Sequence, residues 1–275
     1  NVLFYILVKN QNVMNVTEKV IWITGASSGI GEALAYALAS KKAKLILSGR
    51  NLEALEQVKE KCNCADVVLL PFDLSHFDLS KSTVYKALQF FGSIDVLINN
   101  GGISQRSLIA ETDFEVDKKL IAVDYLGTVA LTKALLPYFI QQKKGHFVTV
   151  TSLMGKFGSP YRSGYCGAKH ALHGFFDVLR MEHEKDNIKV TLICPGFVQT
   201  NVAINALTAN GETQKSNDEA TQNGMPVDVF ASKMIKAIEA NKFEAYIGGK
   251  EVLGVYLKRF FPKMLHYFVL ESKVR

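Results

Sequence analysis

Three glycines, Gly25, Gly29 and Gly31, stand between an apolar run at residues 20–24 and a helical pattern at 30–40. Few local features restrict a chain so tightly. Gly25 permits a sharp turn, Gly29 lets a pyrophosphate approach the backbone with no Cβ in the way, and Gly31 lets the helix sit close to the sheet. Free N–H groups and the dipole at the helix start then attract the anion. An isolated glycine string is an ordinary turn. The strand before Thr24-Gly25-Ala26-Ser27-Ser28-Gly29-Ile30-Gly31 and the helix after it make this one a dinucleotide cradle, with Gly25, Ser27, Ser28, Gly29, Ile30 and Gly31 as its contacts.

The same strand–turn–helix rhythm continues along the chain. Residues 20–24, 44–48, 67–70, 95–98, 146–151, 189–194 and 245–247 read as strands, several of them apolar throughout and rich in Val and Ile. Such runs suit strands buried on both faces of a parallel sheet. Residues 30–40, 52–61, 79–91, 114–142, 164–185 and 227–240 read as helices. The alternation predicts an α/β fold, a Rossmann-type doubly wound parallel sheet of seven strands in a single domain. With 275 residues, 48% of them hydrophobic, such a domain can bury a full core.

No linker or fixed-period repeat divides the chain. The expected organisation is an N-terminal extension (1–16), the main domain (17–250) and an amphipathic C-terminal tail (251–275). Residues 199–226 are polar and rich in Asn, Thr and Gly, the composition of a lid or a disordered loop. Residues 252–270 interleave Tyr256, Phe260, Phe261, Leu265, Tyr267 and Phe268 with Lys258, Arg259 and Lys263, and read as a tail helix interrupted at Pro262. Its aromatics suit a lipophilic substrate cleft, a membrane surface, or a cap on the core or a subunit contact. Packing on protein is the favoured reading. The apolar start, residues 2–8, stops at Lys9, far short of the about 20 residues of a membrane span, and lacks a signal-peptide pattern. It reads as the stub of a removed anchor, an upstream extension or a surface segment, with Met14 a candidate start. The expected location is cytoplasmic, with membrane association through a lost N-terminal anchor as the alternative.

The balance of 32 Lys+Arg against 26 Asp+Glu gives +6. That suits an anionic ligand, but no basic run announces nucleic acid. Of the four cysteines, at 62, 64, 166 and 194, only the first two are close, and a lone C-x-C pair does not signal zinc. Their scarcity fits a reducing compartment. His146, His170, His173 and His183 lack a supporting motif and read as surface or helix-face residues, so no metal is expected.

The end of the second strand bears on cofactor choice. An NAD enzyme places an acid there for the ribose 2′-hydroxyl. This chain has Ser48-Gly49-Arg50-Asn51, and the planar fork of Arg50 matches a 2′-phosphate, so NADP(H) is expected over NAD(H). Further on, Tyr165 and Lys169 stand at i and i+4 on a helix, where the ammonium lies beside the phenol. A phenol with a pKa near ~10 is a poor acid at neutral pH, and a neighbouring cation lowers it. The spacing alone means little, because Tyr5/Lys9 and Tyr246/Lys250 share it. Only Tyr165 also has a serine, Ser152, at the end of the preceding strand, able to steady a developing oxyanion.

With these marks in this order, the chain resembles the short-chain dehydrogenase/reductase family from about Lys19 to Gly248. The marks are the glycine turn, Asp73, Asn99-Asn100-Gly101-Gly102, Ser152, Tyr165/Lys169 and Pro195-Gly196. The run from Asn99 to Leu108, with Gly164-Tyr165-Cys166, is similar to the dehydrogenase/reductase member 7 subgroup, where Gly101 replaces the family's usual Ala. The resemblance implies that Asp73 and Leu74 contact the adenine side of the cofactor and Asn100 the adenosine half, with Gly101 also among the cofactor-binding residues. It places Pro195, Gly196, Val198 and Thr200 near the nicotinamide carboxamide, and Lys169 on the nicotinamide ribose. It also implies NADP(H), and a homodimer or homotetramer through the helices at 114–142 and 164–185. At the family's fourth catalytic position, usually Asn, this chain has Asp124. The family residue holds a relay water largely through its main-chain carbonyl, which Asp also supplies, while the extra carboxylate favours Lys169 as the cation.

The expected activity is hydride transfer between NADP(H) and a carbonyl or secondary alcohol, with Ser152, Tyr165, Lys169 and Asp124 as the catalytic set. Two alternatives stand beside it: a catalytically silent cofactor-binding scaffold, and a 3-oxoacyl reductase of lipid synthesis. Steroid, retinoid, lipid and xenobiotic carbonyls all remain open as substrates, and peripheral membrane contact is a further expectation.

Overall fold

The computed structural model describes residues 14–63 and 66–272; the apolar start and Cys64 lie outside the described residues. Strand β1 (Val20–Thr24) leads through the glycine turn into α1 (Gly29–Ser40). Then follow β2 (Lys44–Ser48), α2 (Leu52–Cys62), β3 (Val67–Leu69), α3 (Ser80–Phe91) and β4 (Val96–Asn99). The second half runs α4 (Phe114–Leu120), a π-helical stretch (Ile121–Gly127), α5 (Thr128–Gln142), β5 (Gly145–Val150), α6 (Ser163–Glu182) and β6 (Ile188–Pro195). It ends with the short α7 (Glu219–Gln222), α8 (Val227–Glu239), β7 (Glu244–Ile247), α9 (Leu253–Phe260) and α10 (Pro262–Glu271).

All seven strands pair in parallel, in the order β3-β2-β1-β4-β5-β6-β7. The doubly wound sheet expected from the sequence is therefore what forms. Each strand serves two cores because successive side chains point to opposite faces. In β1, Ile21 and Ile23 join Leu34 and Leu38 of α1 and Phe230 and Met234 of α8. Val20 and Trp22 face the other way, toward Leu131 and Phe139 of α5 and Leu172 and Phe176 of α6. By length and composition the run Phe114–Gln142 could cross a membrane, but its Leu131, Leu135 and Phe139 pack against the sheet.

Two segments differ from the sequence expectation. The helix read as continuous over 114–142 is α, then π, then α. Gly127 abuts the Leu74 carbonyl so closely that a Cβ would overlap it, and Asp124 turns inward to accept from the Ile103 N–H at 2.8 Å. A widened turn at a functional position is the common setting for π-helix. Residues 199–226 are not a bare loop. They carry α7, a Val198–Met225 bridge and bridges from Leu207 to Gln105 and Thr213. The tail does break at Pro262, giving α9 and α10.

Candidate active site

The carboxyl ends of β1, β2 and β4 open onto a cavity of about 500 Å³, at the point where strand order reverses and open parallel sheets hold ligands. The glycine turn floors it. Gly25 (φ +63°) and Gly29 (φ +59°) lie in the left-handed region, which side chains disfavour. A Cβ on Gly25 would sit 2.7 Å from Gly101 Cα, and one on Gly31 would overlap the Gly25 carbonyl. Asn100 braces the turn. Its Nδ2 donates to the Thr24 and Gly25 carbonyls at 2.9 and 3.1 Å. Thr24 Oγ1 in return accepts from the N–H groups of Asn100 and Gly101, both at 3.0 Å. Asn100 lines the cavity, yet its amide is committed to holding the loop.

Ser27, Ser28, Gly29, Ile30, Arg50, Asp73, Leu74 and Gly101 line the same cavity. Ser28 is the N-cap of α1 but makes no side-chain cap bond, so the orphan N–H groups of the first turn can serve an anion. Arg50 is exposed at the end of β2. Burial works upward on the Asp73 carboxyl, but bonds from Ser75 and the charge of Arg50 outweigh it and hold it below the ordinary carboxylate value. A glycine cradle that any Cβ would fill, a helix start and a guanidinium together fit a dinucleotide.

A second cavity, about 670 Å³, adjoins the first and shares Ile30, Asn100, Gly102, Ile103, Ser104, Thr200 and Val202 with it. It brings together Ser152, Tyr165, Lys169, Pro195, Gly196 and Val198. Ser152, after β5, is buried and its Oγ accepts from the Met154 N–H at 3.0 Å. Helix α6 places Tyr165 and Lys169 on one face, with the Lys169 Nζ 5.5 Å from the Tyr165 ring centroid. That ammonium is buried, donates to the Val150 carbonyl at 3.4 Å and lies 3.5 Å from Asp124 Oδ2. Gly102 makes room, since a Cβ there would stand 3.1 Å from Asp124 Oδ1 and 3.2 Å from Lys169 Nζ. Burial raises the Asp124 carboxyl above its ordinary value, against the pull of Lys169. Burial also works to lower Lys169, but Asp124 and Tyr165 outweigh it and hold the ammonium above its ordinary value. Ser152, Tyr165 and Lys169 of the predicted catalytic set thus line one cavity, and Asp124 lies buried behind it, against Lys169.

Several residues here escaped the sequence reading. Arg106, Arg162 and Asp218 are buried together. Asp218 Oδ2 accepts from Arg106 Nε at 2.8 Å and Nη2 at 2.5 Å, and from Arg162 Nη2 at 3.3 Å. Burial and the Arg106 charge push Arg162 down to about 10, with Asp218 opposing them. The cluster ties the 199–226 segment to the loop after β4 and to the start of α6. Glu251 is a second such tie. Its Oε1 accepts from the N–H groups of Phe197 and Gly249 at 3.1 and 2.9 Å, and any Cβ on Gly196 would overlap it.

The reading of the histidines needs correction at His146, which is buried in β5 rather than on a surface or helix face, while His173 lies on the buried face of α6. His173, Cys194 and Glu244 group within reach of a metal ion. The Glu244 carboxylate, however, already pairs with Lys156 at 2.5 Å, the Tyr246 hydroxyl at 2.5 Å and His173 Nδ1 at 3.1 Å. Burial pushes the Cys194 thiol up to about 12. The group is a hydrogen-bonded network beneath the cavity.

Comparison with known proteins agrees with this geometry. The profile described as short chain dehydrogenase matches residues 19–211. The chain is 41% identical over 254 residues to human dehydrogenase/reductase SDR family member 7, covering 90% of this chain and 75% of that one. It is 38% identical over 271 residues to mouse member 7B, covering 96% and 81%. It is 37% identical over 272 residues to an Anopheles gambiae member-7-like protein, covering 96% and 86%. Among solved structures, a Burkholderia phymatum short-chain dehydrogenase/reductase in complex with NAD superposes with a TM-score of 0.82 at 22% identity, over 95% of this chain and 98% of that one. An alcohol dehydrogenase from Thermococcus sibiricus complexed with 5-hydroxy-NADP gives 0.72 at 25%, over 84% and 97%. The chain therefore belongs to the short-chain dehydrogenase/reductase family, in its member-7-like subgroup, and is an NAD(P)-linked oxidoreductase of carbonyl and alcohol chemistry.

Proposed function

We propose that the protein is an NADP(H)-dependent carbonyl reductase or secondary-alcohol dehydrogenase acting on lipophilic substrates, with Tyr165 as its general acid/base. The observation that carries this reading is the convergence of Ser152, Tyr165 and Lys169 on a mainly apolar cavity continuous with the glycine cradle. A bound nicotinamide supplies hydride to a carbonyl carbon or takes it from an alcohol. The chain's own residues manage the oxygen. Ser152 Oγ donates a hydrogen bond to it and steadies its charge. The Tyr165 hydroxyl passes its proton to it in reduction and takes one back in oxidation. Lys169, kept cationic by Asp124, favours the tyrosinate left behind and holds the nicotinamide ribose. By the family resemblance, the Asp124 main-chain carbonyl would hold a relay water.

At the other end of the cradle, Arg50 would hold the 2′-phosphate, and no acid at the end of β2 favours the 2′-hydroxyl instead. Val150, Leu153, Phe157, Phe197 and Leu257 make the second cavity suited to an apolar substrate body. Exposed Phe114, Val178 and Met181 on α4 and α6 support assembly as a homodimer or homotetramer.

The test is initial rates with NADPH against NADH over a panel of lipophilic carbonyls, for the parent and Arg50→Ser. The parent is expected to prefer NADPH, and Arg50→Ser to lose roughly tenfold or more in kcat/KM for NADPH, the scale of a charged hydrogen bond, with NADH unaffected. Equal losses with both coenzymes would refute the assignment of Arg50.

A further inference from the structure

Helices α9 and α10 are apolar on two sides. Their inner side packs: Gly254 admits the Phe157 ring, and Leu257, Leu265 and Val269 join Leu153 and Phe157 in a small core. Their outer side is largely open, although Tyr256 meets the Tyr246 ring edge-on. Leu253, Tyr256 and Phe260 follow one another at i, i+3 and i+7, and Met264, Tyr267 and Phe268 at i, i+3 and i+4, each 43% to 68% exposed. Single exposed apolar residues are ordinary, whereas a continuous face of them marks a contact. A helix already packed on one apolar side and apolar on a second has room for a further partner, a protein or a bilayer.

The charges on this segment choose between the two. Residues 253–270 contain Lys258, Arg259 and Lys263 and no Asp or Glu, and all three cations are exposed. Protein interface cores are depleted in lysine. Aromatic residues interleaved with cations, with no acid among them, are the composition of a helix lying in an anionic lipid surface. The position of the tail adds a reason. Leu257, Leu265 and Val269 line the cavity of Tyr165 and Ser152, and Phe268 both lines it and is exposed. Leu253 and Phe268, both exposed on the apolar face, thus also border the cavity.

We propose that α9 and α10 form a docking face for an anionic lipid bilayer, seating that border of the cavity against the acyl layer so that a lipophilic substrate enters without crossing water. The docking face stands on the tail alone; the delivery of a carbonyl substrate through it rests on the reductase reading above.

A local probe tests it. The chain has one tryptophan, Trp22, which is fully buried, so Phe260→Trp reports on the tail. Its emission is expected to shift to the blue on adding vesicles of phosphatidylcholine with phosphatidylserine, and much less with phosphatidylcholine alone. Adding Lys258→Glu and Arg259→Glu to that variant is expected to weaken the vesicle titration by roughly fivefold per cation removed. Each variant should keep the parent's NADPH-dependent turnover of a small water-soluble carbonyl. No shift with either vesicle overturns the proposal. So does an emission that is already blue without lipid and reddens on dilution, which makes the face a contact between copies of this chain. A lipid-dependent shift in a protein that turns over no carbonyl supports the docking face and contradicts only the reductase reading.

Discussion

Asp124 and Lys169 are both buried, 3.5 Å apart, with the phenol ring of Tyr165 beside the ammonium. A cation out of water is costly unless an opposite charge accompanies it. Asp124 is that companion, and with Tyr165 it holds Lys169 above its ordinary value although burial works the other way. In Asp124→Asn the carboxylate is gone while the main-chain carbonyl stays. Lys169 must then lose its proton at lower pH, and the tyrosinate loses its supporting charge earlier. The alkaline limb of the pH profile for kcat/KM is expected to move to lower pH in Asp124→Asn, with cofactor affinity little changed. An alkaline limb that stays in place would show that Lys169 does not depend on this carboxylate. At the cradle, Gly25→Ala forces a Cβ to 2.7 Å from Gly101 Cα at a φ of +63°. Fluorescence titration should show weakened NADPH binding, together with a loss of stability on the order of 1 kcal/mol or more from the backbone conformation alone.

Among the elements, the 199–226 segment is the one whose place depends on side chains far apart in sequence. Asp218 joins Arg106, 112 residues away, and Arg162, 56 residues away. Removing its charge leaves two buried guanidinium groups without that carboxylate, a loss of about 3–5 kcal/mol for a buried pair. Asp218→Asn is expected to melt at lower temperature and to raise KM for the carbonyl more than KM for NADPH, because the cluster borders the second cavity. Equal changes in both constants would argue against a role in placing the substrate wall. This cluster also shows why part of the site was hidden in the sequence. The glycine turn and the Tyr165/Lys169 pair were legible because their meaning is local, within one turn or one helical repeat. The strands were legible because burial on both faces leaves uninterrupted apolar runs. Asp218, Glu251 and Glu244 carry no local pattern, since their partners come together only when the sheet closes. The π-helical stretch was hidden too: nothing in Ile121–Gly127 breaks helical periodicity, and its cause lies in contacts with Leu74 and Ile103.

Across the whole molecule, side-chain ties join the second half of the sheet, the tail and the walls of the substrate cavity. Glu244 on β7 binds Lys156 and His173 beneath the cavity, and Glu251 ties the loop after β6 to the tail. Burial works to raise Glu244, but bonds from His173, Lys156 and Tyr246 outweigh it and hold its carboxyl down at about 2, against an ordinary 4.5. A carboxyl lowered by folding stabilises above its unfolded value and loses that stabilisation as pH falls toward its folded value. The parent's melting temperature should therefore fall more steeply than that of Glu244→Gln between pH 4.5 and about 2; parallel curves would exclude the network as an acid-sensitive support. The central claim, however, concerns proton transfer by one phenol. Its most direct test is NADPH oxidation by the parent and by Tyr165→Phe with the same lipophilic ketone, with NADPH binding measured in both. The account predicts equal NADPH binding and a turnover lower by about a hundredfold to ten-thousandfold in Tyr165→Phe, the usual worth of a positioned acid. Equal turnover in the two proteins would contradict it.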